Sequence, residues 1–206
     1  MITLYGRPLS RASRNLWALE ELGLTYKNVP YDQNKSDIRS PEYLALNPAG
    51  KIPLLVDESV AMSESLAINL YLAQTYGVNS LWPIEIGSRC KCLQWTLWAA
   101  TELEPPVEGL LFEFMKKKEP DRDVVLIKTL AERARPLLNL LNEALGTSRY
   151  LAGPTFSVAD LNVSAVTEYL VLCNFDLSGW PALSTWLAQC LERPAHQKVA
   201  AMRRMA

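Results

Sequence analysis

The chain has 206 residues, 49% apolar and 21% charged, with 21 Lys and Arg against 22 Asp and Glu for a net charge of -1. That balance removes the electrostatic case for nucleic acid or anionic lipid as partners, and no apolar run is long enough to span a membrane. The length suits one large domain or two modest ones, and Arg7, Arg11 and Arg14 break up the N-terminus before a signal peptide could develop, so a cytoplasmic protein is expected.

In chain order, Ile2 to Tyr5 reads as a strand and Arg11 to Leu22 as a helix. Leu16 and Leu19 face inward there, Trp17 is a third candidate, and Gly23 sits where a helix-ending glycine belongs. Tyr26 to Pro30 reads as a second strand and Pro41 to Leu46 as a short helix. Pro53 to Val56 and Val60 to Met62 form a predicted hairpin about Asp57-Glu58-Ser59, and Ser65 to Tyr76 closes the set as a helix. The order βαβαββα predicts a four-stranded mixed sheet with helices on its faces.

From residue 87 on, no strand pattern remains, and residues 77–86, with Trp82-Pro83, read as a linker. A long helix from Ser88 carries Cys92, Trp95, Ala99 and Glu102 along one face. Pro105-Pro106 is expected to bend or break it before Leu110 to Met115. Lys116 to Lys118 is the one basic run and reads as a solvated helix terminus. Leu130, Ala134, Leu137, Leu138, Leu141 and Leu145 form a helical apolar stripe closed by Gly146, with Pro136 expected to kink it. Ser157 and Asp160 read as a capping box with Asp in place of Glu, opening a helix that is apolar almost all round and so the expected core. Pro181 to Leu191 and Pro194 to Met202 supply two more helices. The division this gives is a mixed domain over 1–78 and an all-helical domain over 87–206.

Two stretches carry chemistry. In NPAGKIPLL the Ile52-Pro53 bond falls at the start of a strand, where a proline with no N–H belongs and a cis bond costs little. In MSESLAINLYLA a helix opens on Ser63, Glu64 and Ser65, whose hydroxyls and backbone N–H groups make a seat for an anion. A strand edge beside a helix N-terminus suits a small peptide with a carboxylate at one end. Other chemistry is thin. Cys90, Cys92, Cys173 and Cys190 form no CxxC, and Cys90 and Cys92 would point about 200° apart on a helix, so they read as free thiols and no metal site is expected. The single histidine, His196, has no nucleophile signature to work with.

Along nearly the whole chain these residues resemble the cytosolic glutathione S-transferases, particularly bacterial members with a serine-type active site. LYGRPLSRASRNLWALEELGLTYK is similar to their first strand, active-site loop and first helix. NPAGKIPLL is similar to their cis-proline segment, SESLAINLYLA to their Glu-Ser helix start, and YLAGPTFSVADL to their core capping box. The resemblance implies a thioredoxin-like N-terminal domain, an all-helical C-terminal domain contributing an electrophile pocket, and a homodimer. It implies glutathione as co-substrate, no metal, and a small apolar electrophile as second substrate. Carried over by position, Ser10 matches the catalytic serine, lying four residues before Arg14. Lys51 and Ile52 match glutathione contacts, Glu64 and Ser65 match the pair at the γ-glutamyl end, and Pro53 matches the structural cis-proline. The histidine that some serine-type classes place before NPxG is absent; Arg39 and Lys35 are both candidates to replace it.

Such an enzyme must make a thiolate, and a free thiol with a pKa near ~8.5 is only slightly ionised at neutral pH. A hydroxyl aimed at sulfur, with the positive end of the first helix, favours the charged form. Ser10 precedes that helix and could be this donor or merely its cap; Ser13 is the close rival and Tyr5 a weaker one. Trp98, Glu102, Leu110 and Phe114 are spaced to line a cleft for the electrophile, although such stripes more often pack a core. Two other functions share the fold: a glutathione-dependent peroxidase or reductase, which often carries cysteine where this chain has Ser10, and a non-enzymatic scaffold.

Overall fold

Ile2–Tyr5 (β1) alternates buried and half-buried side chains, the two-residue period of a strand whose faces meet different surroundings. The computed structural model describes residues 1–205. After β1 come Ala12–Glu21 (α1), Tyr26–Val29 (β2), a short 3-10 turn at Ser36–Arg39, Pro41–Leu46 (α2), Leu54–Asp57 (β3), Val60–Ser63 (β4) and Ser65–Tyr76 (α3). The sheet order is β2-β1-β3-β4, with β1 parallel to β2 and the other two pairs antiparallel. This is the thioredoxin-like arrangement expected from the order of elements. Tyr5 lies opposite Leu54, and on that face Ile38, Tyr43 and Ile52 complete an apolar cluster with Tyr31 and Val56.

Helix α1 ends as its sequence requires. Gly23 takes φ +64, Leu24 N–H reaches Leu19 O at 3.0 Å, and Gly23 N–H reaches Glu20 O at 3.2 Å, which satisfies carbonyls that the last turn leaves unpaired. Leu16, Trp17 and Leu19 are all fully buried.

The remaining helices are Ile86–Trp98 (α4), Glu104–Lys116 (α5), Val124–Thr147 (α6), Val158–Leu172 (α7), Pro181–Leu191 (α8) and Pro194–Met205 (α9). Pro105-Pro106 does not break the chain's helical course. Ala99–Leu103 forms a π-helical turn between α4 and α5, and the prolines fall in the first turn of α5, where a missing N–H forfeits least. Helix α6 starts earlier than its leucine stripe, because Asp123 accepts the Leu126 N–H at 2.9 Å and caps it.

Contacts divide the chain into two units: Met1–Leu81 together with the segment from Glu192 onward, and Trp82–Leu191. Helix α9 therefore groups with the sheet unit, whereas the sequence division counts it with the helical domain. The cause is specific packing on α1: the His196 ring meets Trp17 at 4.6 Å, Lys198 pairs with Glu20 at 2.6 Å, and Arg193 pairs with Glu21. The helical unit is built around α7, which is buried on nearly every side and packs against α4, α5 and α8. Each of Leu161, Val163, Val166 and Leu170 there removes enough apolar surface to contribute roughly 1.5–3 kcal/mol. At Gly109 a side chain would collide with Leu130 at 2.8 Å, so the glycine permits the close approach of α5 and α6.

Candidate active site

The loop between β1 and α1 is pinned by backbone bonds from Gly6 N to Val29 O at 2.8 Å and Arg7 N to Tyr31 O at 3.2 Å. Arg7 also forms an ion pair with Asp32 at 2.8 Å. Gly6 has φ +137, and a Cβ there would come within 2.6 Å of the Ala12 Cβ, so only glycine lets the loop lie this close to α1. The same absent Cβ would sit 3.6 Å from Ser10 Oγ and 3.5 Å from Ile52 Cβ. Ser10 and Ile52 thus flank one point. The half-buried Ser10 hydroxyl donates to Arg7 O at 2.7 Å and accepts the Ala12 N–H at 3.2 Å, so at rest it braces the loop against the start of α1. Ser13, in the first turn of α1, makes no side-chain hydrogen bond among the described residues.

The segment before β3 is held from behind. Tyr43 Oη and Asn47 Nδ2 both donate to the Lys51 carbonyl, at 2.6 and 2.7 Å. The Ile52–Pro53 bond is cis. Gly50 takes φ +56, and a Cβ on it would meet the Arg39 guanidinium at 2.6 Å, so Arg39 lies against the turn that carries Lys51. Tyr5 packs its ring on Tyr31 and Tyr43 at 5.3 and 5.8 Å, the place of a strand residue and not of a donor facing a ligand.

At the start of α3, Glu64 is exposed and holds φ 70 and ψ 103, outside the regions a side chain ordinarily favours, and no side chain caps the helix. Ser65 behind it is buried. Its hydroxyl accepts from Arg14 Nη1 at 3.2 Å, which leaves its own proton to be donated. Asn15 Nδ2 donates to Ser65 O at 2.7 Å and to Asn69 Oδ1 at 2.8 Å, so α1 grips both the first turn and the second turn of α3. A helix end with open backbone N–H groups and a poised hydroxyl is chemically an acceptor site for a carboxylate.

Comparison with known proteins fits this geometry. Residues 1–74 match the glutathione S-transferase N-terminal domain family, and residues 121–189 match the glutathione S-transferase C-terminal domain family. Glutathione S-transferase GstB of Escherichia coli (strain K12) is 31% identical over 202 residues, 97% of each chain. The chain belongs to the glutathione S-transferase family. Among solved structures, poplar glutathione transferase F1 superposes with a TM-score of 0.89 at 31% identity, covering 100% of this chain and 99% of its own. The theta class glutathione S-transferase from Xanthomonas axonopodis pv. citri, solved with glutathione bound, gives a TM-score of 0.88 at 29% identity, with coverage of 96% and 95%.

Within this transferase fold, Ser10, Ser13, Lys51, Ile52, Pro53, Glu64 and Ser65 all belong to the sheet unit. The four residues assigned to an electrophile wall lie in the helical unit and in unlike surroundings. Trp98 is half-buried with its ring 5.0 Å from Trp95, Glu102 is exposed on the π turn, and Leu110 is fully buried in the helical core. Phe114 alone of the four lines a described pocket. The sequence reading missed Asn15, Asn69, Tyr43 and Asn47. The only local hint was the polar Arg14-Asn15 pair in a helix whose neighbours are apolar. Among the described residues no cluster of three His, Cys, Asp or Glu side chains could hold a metal.

Proposed function

We propose that the protein conjugates glutathione to small apolar electrophiles as a serine-type transferase. The observation that carries this reading is the meeting of Ser10 and Ile52 at Gly6, a sulfur-side donor beside a peptide-binding edge. Glutathione pairs its backbone with Ile52, rests its γ-glutamyl carboxylate on the start of α3 and accepts a hydrogen bond from the Ser65 hydroxyl. Its thiol proton leaves to solvent, the thiolate forms a bond to the electrophilic carbon, and an aryl halide so attacked releases halide. To act, the Ser10 hydroxyl turns from the Arg7 carbonyl toward sulfur and exchanges a neutral hydrogen bond for a charge-assisted one. Arg39, against the Gly50 turn, is the cation for the glycine carboxylate; Arg39→Gln should raise KM for glutathione and Lys35→Gln should not.

Titrating the thiolate absorbance of the glutathione complex tests the central claim. Ser10→Ala should raise the thiol pKa by about one to two units, the equivalent of a charge-assisted bond of ~1.5–3 kcal/mol. The loss in kcat should shrink as pH rises, since alkali ionises the thiol unaided. Ser13→Ala should leave the pKa in place; if it alone shifts the pKa, the donor is Ser13, and if neither variant does, no serine stabilises the thiolate.

Assembly follows the same proposal. Ile86, Leu93 and Leu97 lie on one face of α4 and are 72%, 41% and 62% exposed, an apolar stripe that a second copy would cover in a homodimer joined through α3 and α4. Leu97→Glu should then give a monomer mass by light scattering where the parent gives a dimer. Four free cysteines accord with a reducing, cytoplasmic setting.

A further inference from the structure

The loop that carries Ser10 hangs from β2 and the residues just after it. Asn28 Nδ2 donates to Gly6 O at 2.9 Å, Gly6 N–H to Val29 O at 2.8 Å, and Arg7 N–H to Tyr31 O at 3.2 Å. The last tie joins two side chains, Arg7 Nη1 meeting Asp32 Oδ2 at 2.8 Å. Asp32 is buried and fixed in its own turn, because its Oδ1 accepts the Asn34 N–H at 3.0 Å and its carbonyl accepts the Lys35 N–H at 3.0 Å. All of these residues belong to the sheet unit.

Arg7 in turn holds Ser10. Arg7-Pro8-Leu9-Ser10 is a β-turn closed from Ser10 N–H to Arg7 O at 3.1 Å, with proline in the second position, where its fixed φ fits. The same carbonyl accepts the Ser10 hydroxyl at 2.7 Å, so one residue occupies both of its lone pairs. When the hydroxyl leaves for sulfur, the carbonyl keeps the Ser10 N–H and is not stranded. The turn thus releases the hydroxyl at little cost, and where that hydroxyl then points depends on where Arg7 is held.

We propose that Asp32 is a positioning residue for the transfer reaction: its ion pair fixes Arg7 and, through the turn, aims the Ser10 hydroxyl at the bound sulfur. The inference rests on Ser10 being the donor to sulfur. Charge and positioning act on the thiol with opposite signs. By charge alone, Asp32→Asn removes an anion and leaves the Arg7 cation unpaired, both of which favour a thiolate and lower the thiol pKa of the glutathione complex. By positioning, the loosened turn weakens the hydrogen bond from Ser10 and raises that pKa. Asparagine keeps an Oδ1 acceptor for the Asn34 N–H, so the substitution spares that bond.

Titrating the thiolate absorbance of the full chain's glutathione complex, for the parent, Asp32→Asn, Ser10→Ala and the double variant, provides the test. Asp32→Asn should raise the thiol pKa by roughly half a unit to one unit, a roughly three- to tenfold loss of thiolate below that pKa. The value of kcat should fall with it, while KM for glutathione changes less than about twofold. In the Ser10→Ala background the same substitution should raise the pKa no further, because the two residues share one effect. Arg7→Lys, whose ammonium can still meet Asp32, should retain part of the parent's advantage. A lowered or unchanged pKa in Asp32→Asn, with Ser10→Ala raising it, would overturn the proposal and leave Ser10 as the donor. A rise that persists in the double variant would also overturn it, since the pair would then act on sulfur without Ser10. No rise in Ser10→Ala would overturn the donor reading and this inference with it. Should Asp32→Asn fail to fold, Arg7→Gln carries the same comparison, because a charge effect on sulfur survives Ser10→Ala and a positioning effect does not.

Discussion

Helices α3 and α7 both open beside a serine, and the two openings are finished differently. At α7, Ser157 accepts the Ala159 N–H at 3.3 Å, and Asp160 returns to accept the Ser157 N–H at 3.0 Å and its hydroxyl at 2.9 Å. Asp160 also accepts Leu151 N–H at 2.9 Å and Trp186 Nε1–H at 3.0 Å. Burial pushes this carboxyl's pKa up, and those four donors pull it back. The end of the helix is thereby closed in the interior. At α3 the residue in the capping place is Glu64, strained and exposed, with no side-chain cap, and Arg14 and Asn15 of α1 hold the helix from behind through Ser65 and Asn69. One opening is complete in itself; the other is complete only when something else supplies the acceptor. Local rules that are fully met mark structure, and a rule left unmet on a well-supported element marks a place for a ligand.

The contrast breaks most easily at Asp160. Asp160→Ala removes the acceptor for four donors, two of them, on Leu151 and Trp186, tying other segments to α7, and should destabilise folding by about 4 kcal/mol in urea titration. Glutathione affinity of the protein that remains folded should be unchanged, because none of these groups serves the sheet unit. A loss below about 1 kcal/mol would mean that water replaces the carboxylate and that α7 is not closed in the sense argued here.

Ser65→Ala is the counterpart at α3, with a smaller effect of another kind. It should raise KM for glutathione by the loss of one hydrogen bond to a charged group, ~1.5–3 kcal/mol, with kcat little altered, since the carboxylate is held alike in ground and transition states. Stability should change less than in Asp160→Ala because Asn15 still holds the Ser65 carbonyl. An unchanged KM would remove Ser65 from the glutathione site.

The two openings were not equally legible in the sequence. Ser157 and Asp160 lie three residues apart, so their reciprocal bonds are written in a local pattern. The Glu64-Ser65 start was legible from its residues as an anion seat and again through its resemblance to a family, but its supports were not. Asn15 and Asn69 stand 50 and more residues from the groups they pair with, and only the fold brings α1 against α3. Pro105-Pro106 was read as a bend or a break, and of the two it is not a break: the chain stays helical through a π turn at Ala99–Leu103, and the prolines fall in the first turn of α5. The last helix carries no local mark of the unit it joins, because its attachment to α1 rests on Trp17, Glu20 and Glu21 far upstream.

The smallest expected effect separates strain from function most cleanly. Glu64 holds a positive φ that costs a residue with a side chain on the order of 1 kcal/mol, and glycine adopts such angles without that penalty. Glycine also widens the unfolded ensemble, which offsets part of the gain. Glu64→Gly should therefore leave folding unchanged or stabilise it by less than about 1 kcal/mol, an increment readable as a shift in the urea midpoint with the slope conserved. In the same variant KM for glutathione should rise, because the Glu64 side chain, matched by resemblance to the pair at the γ-glutamyl end, is gone. Glu64→Gln keeps the backbone cost and loses only the charge, so it should raise KM without moving the midpoint. If Glu64→Gly destabilises the fold while glutathione binding stays intact, the unusual backbone at α3 belongs to folding, and the contrast between the two helix openings fails at its most exposed residue.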